Sequence, residues 1–103
     1  MVSGKRVVIT GAANGIGFAT AAMFAANGAK VIGLDLDTSR QAMRLIRCDL
    51  SKEADIIDAV AAAAGELGGI DVLVNNAGVM QEFSIQGITA EHIDRHFAIN
   101  VRG

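Results

Sequence analysis

Thr10-Gly11-Ala12-Ala13-Asn14-Gly15-Ile16-Gly17 is the stretch on which the reading of this 103-residue chain turns. Before it runs Arg6-Val-Val-Ile-Thr10, short and continuously apolar, as a strand covered on both faces of a parallel sheet requires. After it, Ile16, Ala19, Thr20, Met23 and Phe24 recur at helical spacing until Asn27-Gly28 offers a left-handed stop. A strand, a glycine-rich turn and a helix in that order make an anion cradle. Glycines let the backbone turn tightly and approach a phosphate without a Cβ clash, and the helix opening near Asn14 aims unpaired N–H groups and a partial positive charge at the anion. The spacing is GxxxGxG, not GxGxxG, and in isolation such a turn is often only a turn.

The residues around the loop repeat its plan. Ala29-Lys-Val-Ile-Gly-Leu34 reads as a second strand ending at Asp35, and Met43-Arg-Leu-Ile-Arg-Cys48 as a third ending at Asp49. The connection from Leu36 to Ala42 is too short for a full crossover helix, so one or two turns or an open loop belong there. Ser51 is placed to cap the next helix, with Glu53 and Asp55 in its first turn and Ile56, Val60, Ala63 and Leu67 on one face, until Gly68-Gly69 ends it. Ile70-Asp-Val-Leu-Val74 is a fourth strand leading into Asn75-Asn76-Ala77-Gly78. Thr89 then caps a last helix, stapled by Ile88 and Ile93, with Ile93, Phe97 and Val101 on its inner face. Strands alternating with helices indicate a parallel α/β sheet.

Composition narrows the function. Hydrophobic residues make up 51% and charged residues 19%, with 12 Gly and no Pro, which describes at most one small globular domain. The net charge is -2 and the nine Lys and Arg are scattered, so no basic stripe invites nucleic acid. A single cysteine, Cys48, forms no internal disulfide and suits a reducing, cytoplasmic setting, where it reads as a small buried hydrophobe. The 23 residues from Val7 to Ala29 carry no charge, yet four glycines and two asparagines interrupt them, and a strand followed by an amphipathic helix fits better than a membrane span. The N-terminus has no secretory apolar region. His92 and His96 stand four apart without an evident third ligand and read as a solvated helix face, not a metal site.

Asp35 lies 18 residues past Gly17, where a dinucleotide-binding unit places a carboxylate against the adenosine ribose. Alone it reads equally as a strand-ending acid; beside the glycine loop the ribose role gains. Leu34 and Leu36 flank it and Asn14 is uncharged, so a 2'-phosphate finds no adjacent cation and NAD is preferred to NADP, although Arg40, five residues on, could reach round.

Taken together these residues resemble the short-chain dehydrogenase/reductase family. Its TGxxxGxG loop is Thr10 to Gly17, its NNAG motif Asn75 to Gly78, and its Asn-Val pair Asn100-Val101, in order across essentially all 103 residues. The resemblance implies a Rossmann-type doubly wound parallel sheet, represented by its N-terminal half of about four strands. It implies that Gly11, Asn14, Gly15, Ile16 and Gly17 hold the pyrophosphate of NAD, Asp35 the ribose, Asp49 and Leu50 the adenine, and Asn76, Ala77 and Gly78 the adenosine side, with Leu36 also among the coenzyme-binding residues. Asn100 would be the family's catalytic-site asparagine, and it follows Ile93 and Phe97 at helical spacing. The implied activity is hydride transfer between a nicotinamide and a small alcohol or carbonyl substrate, in a homo-oligomer, a dimer or tetramer.

One departure is large. The family's proton transfer uses a Ser and a Tyr-x-x-x-Lys, whereas this chain has no Tyr, its lysines (Lys5, Lys30, Lys52) all precede the fourth strand, and Ser3, Ser39, Ser51 and Ser84 have no matching context. The expectation is therefore the coenzyme-binding half of such an enzyme, inactive without the remaining C-terminal half. A free-standing nucleotide-binding module is the alternative. A methyltransferase-like adenosine site is a third reading, against which Asn75 to Gly78 argues.

Overall fold

The computed structural model describes residues 3–76 and the backbone of residues 98–101. Ala77, Gly78, Ile88, Thr89, His92, Ile93, His96 and Phe97 lie outside the described residues, and with them most of the expected last helix.

The elements are β1 (Arg6–Thr10), α1 (Gly15–Ala26), β2 (Lys30–Asp35), β3 (Arg44–Arg47), α2 (Glu53–Leu67), β4 (Val72–Asn75) and β5 (Ala98–Val101). All strands pair in parallel in the order β3-β2-β1-β4-β5. In β1, Val7 and Ile9 pack with Ala21 and Val74 on one face, while Val8 packs with Ile56, Val60, Ala63 and Leu73 on the other. Adjacent residues of a strand point to opposite faces, so a strand covered by α1 on one side and α2 on the other must be apolar throughout. This is the doubly wound α/β architecture, and the uncharged run from Val7 to Ala29 is divided among β1, the loop and α1.

Three local expectations are corrected. The inner face of α1 is Gly17 and Ala21 with half-buried Phe24, whereas Ile16 and Met23 are 65% and 60% exposed. Gly17 sets this rotation, because a Cβ there would collide with the Gly11 carbonyl and lie 2.7 Å from Asn76 Nδ2; only the glycine face of the helix approaches the loop so closely. Ser51 does not cap α2: the helix begins after Lys52, and the Ser51 hydroxyl donates to Asp49 Oδ1 at 2.6 Å. Residues 98–101 are a strand, not helix, and a fifth strand beside the four expected, so the inner-face assignment of Val101 and the helical placement of Asn100 do not hold. The edge of β4 offers a row of open N–H and C=O groups, and Ile99 and Val101 are β-branched, so sheet pairing outweighs helical periodicity there.

The connection of residues 36–43 contains no helix, as its length requires. Gly28 (φ +90°) and Gly68 (φ +83°) supply the left-handed stops of α1 and α2, and the Gly68 and Gly69 amides both donate to the Ala64 carbonyl.

A candidate dinucleotide site at the carboxyl edge of the sheet

In a parallel sheet every strand delivers its last residue to the same edge, which brings Thr10, Asp35, Asp49 and Asn75-Asn76 together from four parts of the sequence. The glycine loop lies at its centre. Gly11 (φ +65°) and Gly15 (φ +61°) hold backbone conformations that side chains disfavour, and the Gly11 amide donates to the Leu34 carbonyl at 2.8 Å. At Gly15 a Cβ would enter open space. Asn14, the N-cap residue, is extended and makes no side-chain cap bond, and the first turn of α1 carries no acid. The helix therefore presents its N-terminal amides and dipole outward across the glycines. In contrast, α2 has Glu53 and Asp55 in its first turn.

The loop is braced from two sides. Thr10 Oγ1 donates to Asn75 Oδ1 at 3.0 Å and accepts the Asn76 amide at 2.9 Å, and Asn76 Nδ2 donates to the Gly11 carbonyl at 3.4 Å. On the other side Asp35 Oδ2 accepts the Ala13 amide and Oδ1 accepts the Asp37 amide, each at 3.1 Å. Leu36 is exposed beside it. Asp49 Oδ1 accepts the Ser51 hydroxyl and amide, which hold its carboxyl below the ordinary value, and Leu50 packs partly against the core under α2. Cys48 is buried; burial, with the charges of Asp55, Asp49 and Asp35, pushes its thiol up to about 11, so it stays protonated and unreactive.

Gly11, Asn14, Gly15, Ile16, Gly17, Asp35, Leu36, Asp49, Leu50 and Asn76 thus share one edge. Asn100, whose backbone is level with Val74 on β5, belongs to the strand end nearest Asn75 at that edge. Sequence reading missed three contributors: Thr10 as the link to Asn75 and Asn76, Arg40 as a brace on Ala13, and Gly33. A Cβ at Gly33 would lie 2.6 Å from Ala12 Cβ and 2.7 Å from Leu45 Cδ2. The glycine in the middle of a strand was the available signal, since strand glycines often mark close approach. Among the described residues no group of three potential metal ligands occurs, and no helix is long and apolar enough to cross a membrane.

Known proteins share this geometry. A family model described as short chain dehydrogenase matches residues 5–103. Galactitol 2-dehydrogenase of Agrobacterium fabrum is 42% identical over 111 residues, covering 99% of this chain and 43% of the relative. Among solved structures, the aldohexose dehydrogenase of Thermoplasma acidophilum in ligand-free form superposes with a TM-score of 0.69 at 38% identity, covering 75% of this chain and 31% of that one. The 3-ketoacyl-(acyl-carrier-protein) reductase of Brucella melitensis complexed with NADH gives a TM-score of 0.65 at 38% identity, covering 72% and 34%. The chain belongs to the short-chain dehydrogenase family. It spans about two fifths of the length of the curated relatives it matches.

Proposed function

We propose that this chain is the coenzyme-binding part of an NAD-dependent oxidoreductase that moves a hydride between the nicotinamide and an alcohol or carbonyl substrate. The observation that carries the reading is the uncapped N-terminus of α1 facing out across Gly11 and Gly15, with the Asp35 carboxylate at the end of the neighbouring strand. The fit to a dinucleotide is local: the open space at Gly15 admits a phosphate where any side chain would intrude, and the α1 amides have no competing cap.

In this reading Gly11, Asn14, Gly15, Ile16 and Gly17 bind the pyrophosphate, Asp35 with Leu36 the adenosine ribose, Asp49 and Leu50 the adenine, and Asn76 with Ala77 and Gly78 the adenosine side. Asp35 accepts ribose hydroxyl protons through lone pairs that the Ala13 and Asp37 amides leave over. Thr10, Asn75 and Asn76 hold the loop at a fixed distance from β4, and Asn100 sits at the substrate end. When bound, the coenzyme supplies the hydride donor or acceptor. Proton transfer falls to residues of the remaining half of the enzyme, which also completes the substrate pocket and the homo-oligomer, in the cytoplasm. The absence of tyrosine from this chain favours a second reading for the chain alone, a nucleotide-binding module without catalysis. Calorimetric titration with NAD, followed by coenzyme oxidation measured with and without the missing half, tests both. Binding with activity only in the completed protein supports the first reading, binding with no activity in either form supports the second, and no binding rejects both.

A further inference from the structure

Asn-Gly occurs twice in the chain, at the two ends of α1, and the fold treats the two pairs differently. An asparagine followed by glycine is the dipeptide most prone to losing its side-chain amide, because no Cβ on the next residue shields that residue's amide nitrogen from Asn Cγ. At the end of α1, Asn27 Nδ2–H donates to the Met23 carbonyl at 2.8 Å and the Gly28 amide donates to the Ala25 carbonyl at 3.0 Å, so both the leaving group and the nucleophile are held. At its start neither is. Among the described residues the Asn14 side chain makes no hydrogen bond, and the Gly15 amide, first in the helix, has no intrahelical partner. Both residues are exposed. The fastening of the loop stops one residue earlier: Ala13 is held at its amide by Asp35 and at its carbonyl by Arg40 Nε–H at 2.6 Å, with the Arg40 guanidinium 3.8 Å from the centroid of the Phe18 ring. Past Ala13, the peptide between Asn14 and Gly15 is tied among the described residues by the Phe18 amide alone, which donates to the Asn14 carbonyl at 3.3 Å, a long hydrogen bond.

We propose that Asn14-Gly15 is a self-modification site whose deamidation turns the glycine loop into an acidic form that excludes the coenzyme, and that bound coenzyme protects it; the exclusion and the protection rest on the coenzyme reading above. The Gly15 amide nitrogen loses its proton and bonds to Asn14 Cγ, the Cγ–Nδ2 bond breaks, and ammonia leaves with that proton. Water then opens the cyclic imide at one carbonyl or the other, returning a proton to nitrogen and leaving aspartate or isoaspartate at position 14. Either product sets a carboxylate at the start of α1, whose first turn carries no acid. There it engages the outward amides and the helix dipole that a pyrophosphate would use, and it repels the anion by charge.

Ageing the chain at neutral pH with and without saturating NAD, followed by peptide mapping by mass spectrometry, reads conversion at Asn14 and Asn27 in one sample. Asn14 is expected to convert roughly tenfold faster than Asn27, the scale of one to two hydrogen bonds, and NAD should slow Asn14 in proportion to its occupancy while leaving Asn27 unchanged. Equal rates, or faster conversion at Asn27, overturn the site. Asn14→Asp tests the consequence: it should unfold at or above the temperature of the parent and bind NAD about tenfold more weakly. Affinity equal to that of the parent overturns the exclusion. Should this variant fail to fold, the aged chain, separated from the unaged by ion exchange, gives the same comparison. If NAD binds by calorimetry yet leaves the conversion of Asn14 unchanged, the protection is overturned. If NAD does not bind, the coenzyme reading fails, and the ratio between the two asparagines alone decides the site.

Discussion

Arg6 and Asp71, 65 positions apart in sequence, are joined at the starts of β1 and β4 by hydrogen bonds of both backbone and side chain, the Asp71 amide donating to the Arg6 carbonyl at 2.8 Å. Asp71 Oδ2 accepts the Arg6 amide at 2.8 Å and Nε–H at 3.0 Å, and Oδ1 accepts Nη2–H at 2.9 Å. Arg6 Nη1 also donates to the Gly68 carbonyl at the end of α2, so one guanidinium ties a strand start to a helix end. The pair lies at the opposite edge of the sheet from the candidate site and acts on stability.

The Arg6 side chain and amide hold the Asp71 carboxyl well below the usual carboxylate range. A carboxyl that is more acidic folded than unfolded stabilises the fold above about pH 4, its unfolded value, and that contribution is lost as pH falls toward the depressed folded value. Asp71→Asn is expected to lower stability by about 2 kcal/mol at pH 7, the scale of hydrogen bonds to a charged group. Urea unfolding at pH 7 and pH 3 checks it: the gap between variant and parent should narrow in acid, and a constant gap would mean that the charge contributes nothing.

Asp35→Ala is expected to weaken NAD by about 1 to 3 kcal/mol through lost ribose bonds. The same change frees the Ala13 amide, so part of the loss should come from a looser loop. Calorimetry with NAD and NADP separates the effects. If the variant binds NAD as tightly as the parent, or the parent binds NADP more tightly than NAD, the ribose assignment is wrong.

The glycines of the loop should fail differently. Gly17→Ala pushes a methyl into the Gly11 carbonyl and the Asn76 amide group, so α1 must shift and stability should fall by about 1 to 3 kcal/mol. Gly15→Val meets open space but holds a β-branched residue at φ +61°, and its side chain occupies the phosphate position, so binding should be lost beyond any loss of stability. Thermal unfolding and NAD titration on both variants decide it; normal NAD binding by folded Gly15→Val would show the phosphate loop misplaced.

Ile16 and Met23, one above the other on the outer face of α1, are the basis of a solution expectation. A helix that is apolar on both sides needs cover on both sides, so the isolated chain should self-associate. Light scattering across a concentration series is the measurement, with Met23→Lys expected to reduce the association. A monomer at every concentration would contradict it. The sheet edge at β4 is not the source of this expectation, because β5 pairs with β4 from Val72 to Asn75.

Strands β1 to β4 were legible because two-sided burial makes the middle of β1, Val7 to Ile9, apolar throughout and leaves little latitude elsewhere. The outline of the candidate site was legible for a related reason: Gly11 follows the end of β1 and Asp35 ends β2, and a parallel sheet gathers strand ends. The face of α1 was not, since the helix is apolar all round and its periodicity cannot choose a side; Gly17, a residue without a side chain, chose it. Arg40's grip on Ala13 was also hidden, because it depends on how an irregular connection folds back over Phe18. The strand at Ala98–Val101 was misread as helix because a local pattern carries no information about an edge left open by residues more than twenty positions earlier.

Thr10, with its bonds to Asn75 and Asn76, has a kinetic implication. The glycine loop is a local turn by sequence, but its shape is secured by residues 65 and 66 positions away, so it cannot be native until β4 has docked on β1. Such distant pairings form late and close a large entropic gap when they do. The glycine loop, although it lies early in the sequence, should therefore be among the last parts of the described chain to acquire protection during refolding, and coenzyme affinity should appear with it in a single step.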